Sequence, residues 1–156
     1  TATLPVIAYA KEIGATQEKL LRAVLISDLI TIHQKTGIGR LSAFCGATSA
    51  GIGAACGIAW LDGGDYEVIA HTIVNGLAIL SGMVCDGAKP SCAVKIATAV
   101  RNGLLGYQMY RQGCQFYGGD GIVTKGVENT IANVGRLANR GMRSTDCEIL
   151  NIMIGN

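Results

Sequence analysis

Cys85 and Cys92 stand on either side of a sharp break between two apolar segments, within Ser81-Gly-Met-Val-Cys-Asp-Gly-Ala-Lys-Pro-Ser-Cys-Ala-Val-Lys-Ile96. Asp86-Gly87 has the composition of a turn, and Pro90 suits the first position of a helix, where its missing N–H leaves no bond unmade. The break therefore holds two sulfurs near one point. Cys92 falls in the first turn of the helix that follows, where the positive end of the helix dipole favours an anionic sulfur, the form of cysteine that binds metals and attacks electrophiles.

A third thiol has the same setting: Ser42 can cap a following helix, which puts Cys45 in its first turn. The intervals from Cys45 to Cys85 and on to Cys92 are forty and seven residues. They match no ferredoxin run and are too loose for a zinc-finger pattern, so thiolate chemistry alone leaves both zinc and iron open. Cys56, Cys114 and Cys147 read as buried or incidental thiols.

The elements that must position these residues are helical. Leu4 to Ile13 reads as a short helix before Gly14. A longer one starts at Thr16, carries an apolar stripe from Leu20 to Ile32, and ends at His33-Gln-Lys-Thr-Gly37. The runs Leu41 to Leu61 and Val68 to Val84 lack formal charge and predict two buried helices joined by Asp62-Gly-Gly-Asp65, with Asp65 capping the second. Ala93 to Val100 continues as a helix that Asn102-Gly103 should stop, and Leu104 to Arg111 adds a short one. Gln112 to Gly126 is a loop, Val127 to Leu137 a helix, and Thr145 caps a last one toward Ile154. No segment alternates as a strand does, so the expected fold is all-α, a compact helical bundle around the small-residue hairpin of the two uncharged runs.

Composition narrows the function classes. A net charge of +2 and an aromatic content of 5% leave neither the field nor the stacking surface of a nucleic-acid binder. Both uncharged runs approach the roughly 20 residues of a membrane span. Their Gly, Ala, Ser and Thr content, with His71 and Asn75 in the second, favours a buried hairpin over a two-helix membrane anchor. Gly53-Ala-Ala-Cys-Gly57 has the outline of a dinucleotide fingerprint but follows no strand and carries Cys56 in place of a glycine. His33 and His71 lack a paired carboxylate motif and read as structural. Six cysteines without a secretory signal point to a reducing cytoplasm.

The central motif resembles the iron–sulfur L-serine dehydratase alpha-chain family, and more closely its L-cysteine desulfidase branch, which carries a similar Gly-Met-hydrophobic-Cys-Asp-Gly-Ala-Lys-Pro-Ser-Cys segment. The resemblance extends to Gly39-Arg-Leu-Ser-Ala-Phe-Cys-Gly46, to Gly121-Ile-Val, to Val127-Glu-Asn-Thr-Ile-Ala-Asn-Val-Gly135 and to Thr145-Asp146. It implies that Cys45, Cys85 and Cys92 ligate a 4Fe-4S cluster, leaving one iron open as a Lewis acid for the leaving group of serine or cysteine. The implied reaction is β-elimination to pyruvate and ammonia, with sulfide from cysteine.

Within the resemblance, Asp86 and Lys89 are candidates for touching substrate or a cluster sulfur, against a purely turn-forming role. Arg40 and Ser42 are candidates for holding the substrate carboxylate. No residue declares itself as the general base. Beside family members the chain reads as a carboxy-terminal fragment forming one cluster-binding domain, so its expected partners are an amino-acid substrate and an amino-terminal region or companion chain, with a homo-oligomer also compatible. A non-catalytic helical module of the same fold is the competing reading.

Overall fold

Residues 46 to 61 would make a poor helix alone, because each interior glycine costs about 1 kcal/mol relative to alanine. In the computed structural model, which describes residues 1–155, they form the centre of the molecule. The described residues fold into seven α-helices: α1 Thr3–Glu12, α2 Gln17–Ile38, α3 Gly46–Leu61, α4 Tyr66–Ile79, α5 Cys92–Arg111, α6 Val127–Arg136 and α7 Arg143–Ile154. A π-helical turn, Leu137–Gly141, separates the last two. No named strand occurs among them, and no helix is long and apolar enough to cross a membrane.

Every residue from Gly51 to Ala59 is buried, and its glycines explain how. Residues two apart on an α-helix point about 200° away from each other, so positions 51 and 53 face opposite neighbours. A methyl group on Gly53 would lie 2.5 Å from the Ser27 carbonyl oxygen and against the Thr31 hydroxyl of α2. One on Gly51 would strike the Ala99 carbonyl of α5, and one on Gly103 of α5 would lie 2.5 Å from the Gly51 oxygen. Backbone thus touches backbone on both sides of α3. The closest backbone contacts of α3 are with α2 and α5, so the bundle is built around the small-residue hairpin as expected, with α2 and α5 clamped on its first helix. Helix α4 still packs on α3, through Gly76 against Ile52. The main apolar cluster gathers Ile38, Phe44, Ile52, Cys56, Ile73, Leu77, Ile131 and Val134.

Several local signals hold. Thr16 accepts a bond from the Lys19 amide, Asp65 accepts one from the Val68 amide, and Gly87 takes the turn conformation at φ +90°. Others are overridden by tertiary contacts. Helix α5 runs through Asn102-Gly103 without stopping, because the buried Asn102 amide donates to the Gly76 carbonyl at 2.8 Å and Gly103 is the close-approach site to α3. Helix α4 ends at Ile79 and α3 begins only at Gly46, and between them Phe44 pairs with Val84 through backbone bonds on either side. Ser42 therefore does not cap α3. Cys45 occupies the N-cap position, without a side-chain cap bond. Pro90 precedes α5 by two residues, and Thr145 lies inside the first turn of α7.

Replacing Gly51 by Ala should destabilise the fold by at least about 1–3 kcal/mol, since the clash is with backbone that cannot rotate away. Gly82→Ala, which meets nothing within 4 Å, should change stability by no more than about 0.5 kcal/mol. Urea unfolding of the two variants reads the difference, and equal midpoints would mean that α3 and α5 do not touch through their backbones.

Candidate functional site

The pairing that ends α4 and delays α3 also brings the segments of Cys45 and Cys85 side by side. Phe44 and Val84 form an isolated antiparallel bridge, flanked by bonds from the Cys45 amide to the Met83 carbonyl (2.9 Å) and from the Cys85 amide to the Ala43 carbonyl (2.6 Å). Side chains alternate across such a pair, so Phe44 points to the core while Cys45 and Cys85 share the opposite face as diagonal neighbours. Phe44 is 1% exposed and anchors the bridge. Cys92 returns to the same junction as the first residue of α5, and its Sγ lies 3.5 Å from the carbonyl oxygen of Gly87. Cys45 is buried, Cys92 half-buried and Cys85 exposed.

Three further groups fix this junction. Lys95, one turn into α5, donates to the Val84 carbonyl at 2.7 Å and to Asp86 Oδ1 at 2.5 Å, while the Lys89 ammonium pairs with Asp86 Oδ2. Lys95 is missed by sequence reasoning, because nothing in a lysine three residues past Cys92 signals a partner across the turn. Two ammonium groups to one carboxylate leave the junction electropositive beside three sulfurs, which suits anionic ligands. The Asp86-Gly87 turn is backed from outside by α7, where Met153 Cε lies 3.1 Å from the position of a Cβ on Gly87.

Ser42 and Arg40 lie on the approach to the bridge. The Ser42 hydroxyl accepts from the Phe44 amide and donates to the Ala138 carbonyl, tying this loop to the π-turn. Arg40 is exposed, borders a groove with Thr31, Lys35 and Thr36, and has no carboxylate partner among the described residues. The remaining thiols sit elsewhere. Cys56 is enclosed in the core, where burial pushes its thiol strongly upward and disfavours a thiolate. Cys114 and Cys147 are exposed, in the 112–126 loop and on α7. His33 forms a surface pair with Glu128 at 2.7 Å, in keeping with a structural role.

None of the six cysteines is in a disulfide. Among the described residues no three His, Cys, Asp or Glu side chains are grouped closely enough to hold a single metal ion. Cys45 and Cys92 stand at helix starts and Cys85 beside the bridge, all three as free thiols, and thiolate sulfur is the donor type that a four-iron cluster takes.

The sequence matches the serine dehydratase alpha chain family over residues 1–151. The chain belongs to that family. Its relatives include a protein of Desulfitobacterium hafniense (strain Y51), 66% identical over 99% of this chain, and one of Treponema denticola, 49% identical over 97%. A third, from Finegoldia magna, is 47% identical over 99%. Each is named UPF0597 protein, and the match spans 36%, 35% and 37% of their own lengths, so this serine dehydratase alpha-type chain spans about a third of the curated relatives it matches. No solved structure matches it.

Lys95→Met should lower stability by about 1–2 kcal/mol, because it removes two charge-assisted bonds at a mostly buried position. It should also speed amide exchange at Cys85. Lys89→Met, at a more open position, should change stability by less than about 0.5 kcal/mol. Hydrogen exchange with unfolding curves checks both, and indistinguishable variants would deny Lys95 its part in holding the bridge.

Proposed function

We propose that this chain is the cluster-binding part of an iron–sulfur-dependent β-eliminating lyase acting on L-serine or L-cysteine in the cytoplasm. The observation that supports it most is the bridge that pairs the segments of Cys45 and Cys85, with Cys92 at the start of the helix whose Lys95 bonds to that bridge, in a serine dehydratase alpha-type chain. These three residues would hold a 4Fe-4S cluster, which supplies a Lewis-acidic iron for the leaving hydroxyl or thiol. The products are pyruvate and ammonia, with sulfide when cysteine is the substrate.

The chain's own residues have separable parts in this reading. Lys95 and Asp86 fix the turn between two ligands, so their role is positional. Lys89, the more exposed of the two lysines on Asp86, is the ammonium free to turn toward a substrate carboxylate. Arg40, without an acidic partner among the described residues, offers a second carboxylate anchor, whereas the Ser42 hydroxyl is spent on holding the loop. The base that removes the α-proton is assigned to the rest of the family polypeptide, which in the relatives makes up about two thirds of the length.

That remainder also has a docking surface here. Leu21, Leu25, Leu29 and Ile32 line the outer face of α2 at helical spacing and are each 54–62% exposed, a continuous apolar stripe of the kind that marks an interface. We assign it to the remainder of the family polypeptide on the ground of the relatives' additional length, with self-association as the outcome that would redirect the assignment.

The 156-residue chain alone, purified without oxygen, should form little or no pyruvate from L-serine or L-cysteine. The full-length family polypeptide should turn over, and Leu25→Glu with Leu29→Glu should abolish that turnover. Robust turnover by the isolated chain would contradict the division of labour, and a full-length protein inactive on both amino acids would leave a non-catalytic helical module as the better description.

A further inference from the structure

The end of α6, the π-turn after it and the tip of the 112–126 loop border an open groove of about 730 Å³. Its charged lining has one sign. Arg136, the last residue of α6, and Arg140, within the π-turn, both line the groove and are both exposed, with Gly121, Ile122, Asn133 and Leu137 among its other walls. No carboxylate lines it, and neither arginine has an acidic partner among the described residues. Like charges four residues apart on a helical stretch repel each other. An anion in the groove turns that repulsion into attraction.

The loop supplies donors of a second kind. The amides of Val123 and Thr124 donate to the Asp120 carbonyl and the Thr130 hydroxyl, whereas those of Gly121 and Ile122, just before them, donate to no acceptor among the described residues. Gly121 is left-handed at φ +60°, and consecutive unbonded N–H groups at such a turn are the backbone form of an anion site. The loop is pinned to α6, where Asn133 donates to the Ile122 carbonyl at 3.0 Å and to the Thr124 hydroxyl at 3.2 Å. The π-turn is pinned too: its Ala138 carbonyl accepts from Ser42, and its Asn139 donates to the Ile38 carbonyl at 3.3 Å. A groove whose walls are already fixed pays little ordering cost when a ligand enters.

We propose that this groove binds the phosphate group of a small phosphorylated molecule, with Arg136 and Arg140 on its terminal oxygens, the Gly121 and Ile122 amides beside them, and the organic portion along Leu137. A phosphate monoester carries about two negative charges and three acceptor oxygens, which two guanidinium groups match. A single carboxylate would leave one arginine unneutralised. The volume falls among those of small-molecule sites, so an ester has room beyond the phosphate itself. The inference does not depend on the lyase reading, which rests on the cysteines.

Inorganic phosphate, glycerol phosphate and acetate are the probes, titrated calorimetrically into the 156-residue chain at constant ionic strength in chloride. Phosphate and glycerol phosphate should bind, and acetate should give no heat. Arg136→Gln and Arg140→Gln should each weaken both phosphates about tenfold or more. Arg101→Gln, which alters an exposed arginine of α5 outside the groove, should leave both affinities unchanged, separating a site from general attraction to positive charge. Amide exchange locates the ligand: phosphate should slow exchange at Gly121 and Ile122 in the parent chain, but not when Arg136→Gln and Arg140→Gln are combined. Absence of phosphate binding, acetate binding as tightly as phosphate, exclusion of glycerol phosphate, or equal weakening by Arg101→Gln would overturn the proposal.

Discussion

Contact between main chains holds this bundle together. Helix α3 lies against α2 and α5 only because positions 51 and 53 carry no side chain, with Gly103 completing the contact from the α5 side. The glycines that weaken α3 as an isolated helix permit close dispersion contact on two faces in the folded chain. A helix clamped in this way has a fixed axis, and its first residue, just after Cys45, is fixed with it. Buried side-chain amides reinforce the clamp: Asn102 joins α5 to α4, and Asn75 joins α4 to both α5 and the following loop.

The cysteine junction follows from that frame. One residue pair, Phe44 with Val84, stitches the segment entering α3 to the segment leaving α4, and Lys95 of α5 bonds to the carbonyl of the same Val84. The segment entering α3, the segment following α4 and the start of α5 are thereby tied together, and they carry Cys45, Cys85 and Cys92 respectively. The arrangement places the only fully buried cysteine, Cys56, deep in α3, where it serves as a small apolar residue.

Much of the fold was legible because its signals are local. Thr16 and Asp65 announce helix starts, Asp86-Gly87 announces a turn, and the polar glycine-rich stretch from 112 to 126 announces a loop. What was not legible depends on partners far along the chain. Asn102-Gly103 looks like a stop until the amide finds Gly76 and the glycine finds α3. A bridge of one residue pair has no periodicity to read, so the apolar runs continue past the helix ends beside it, and Ser42, which has the type of a cap for α3, accepts from the Phe44 amide instead. The same limit hid Lys95. It also hid the groove that Arg136 and Arg140 share with Gly121 and Ile122, since a residue's type does not reveal whether its charge finds a partner.

The central claim is that three particular thiols act together, and metal stoichiometry tests it most directly. After anaerobic reconstitution with iron and sulfide, the parent chain should carry about four iron and four acid-labile sulfide with a visible charge-transfer band. Replacing Cys45, Cys85 or Cys92 by serine should remove both while the helical circular dichroism remains, and replacing Cys56, Cys114 and Cys147 should leave them nearly unchanged. Iron retained after Cys85 and Cys92 are lost together, or iron lost with the other three, would contradict the account.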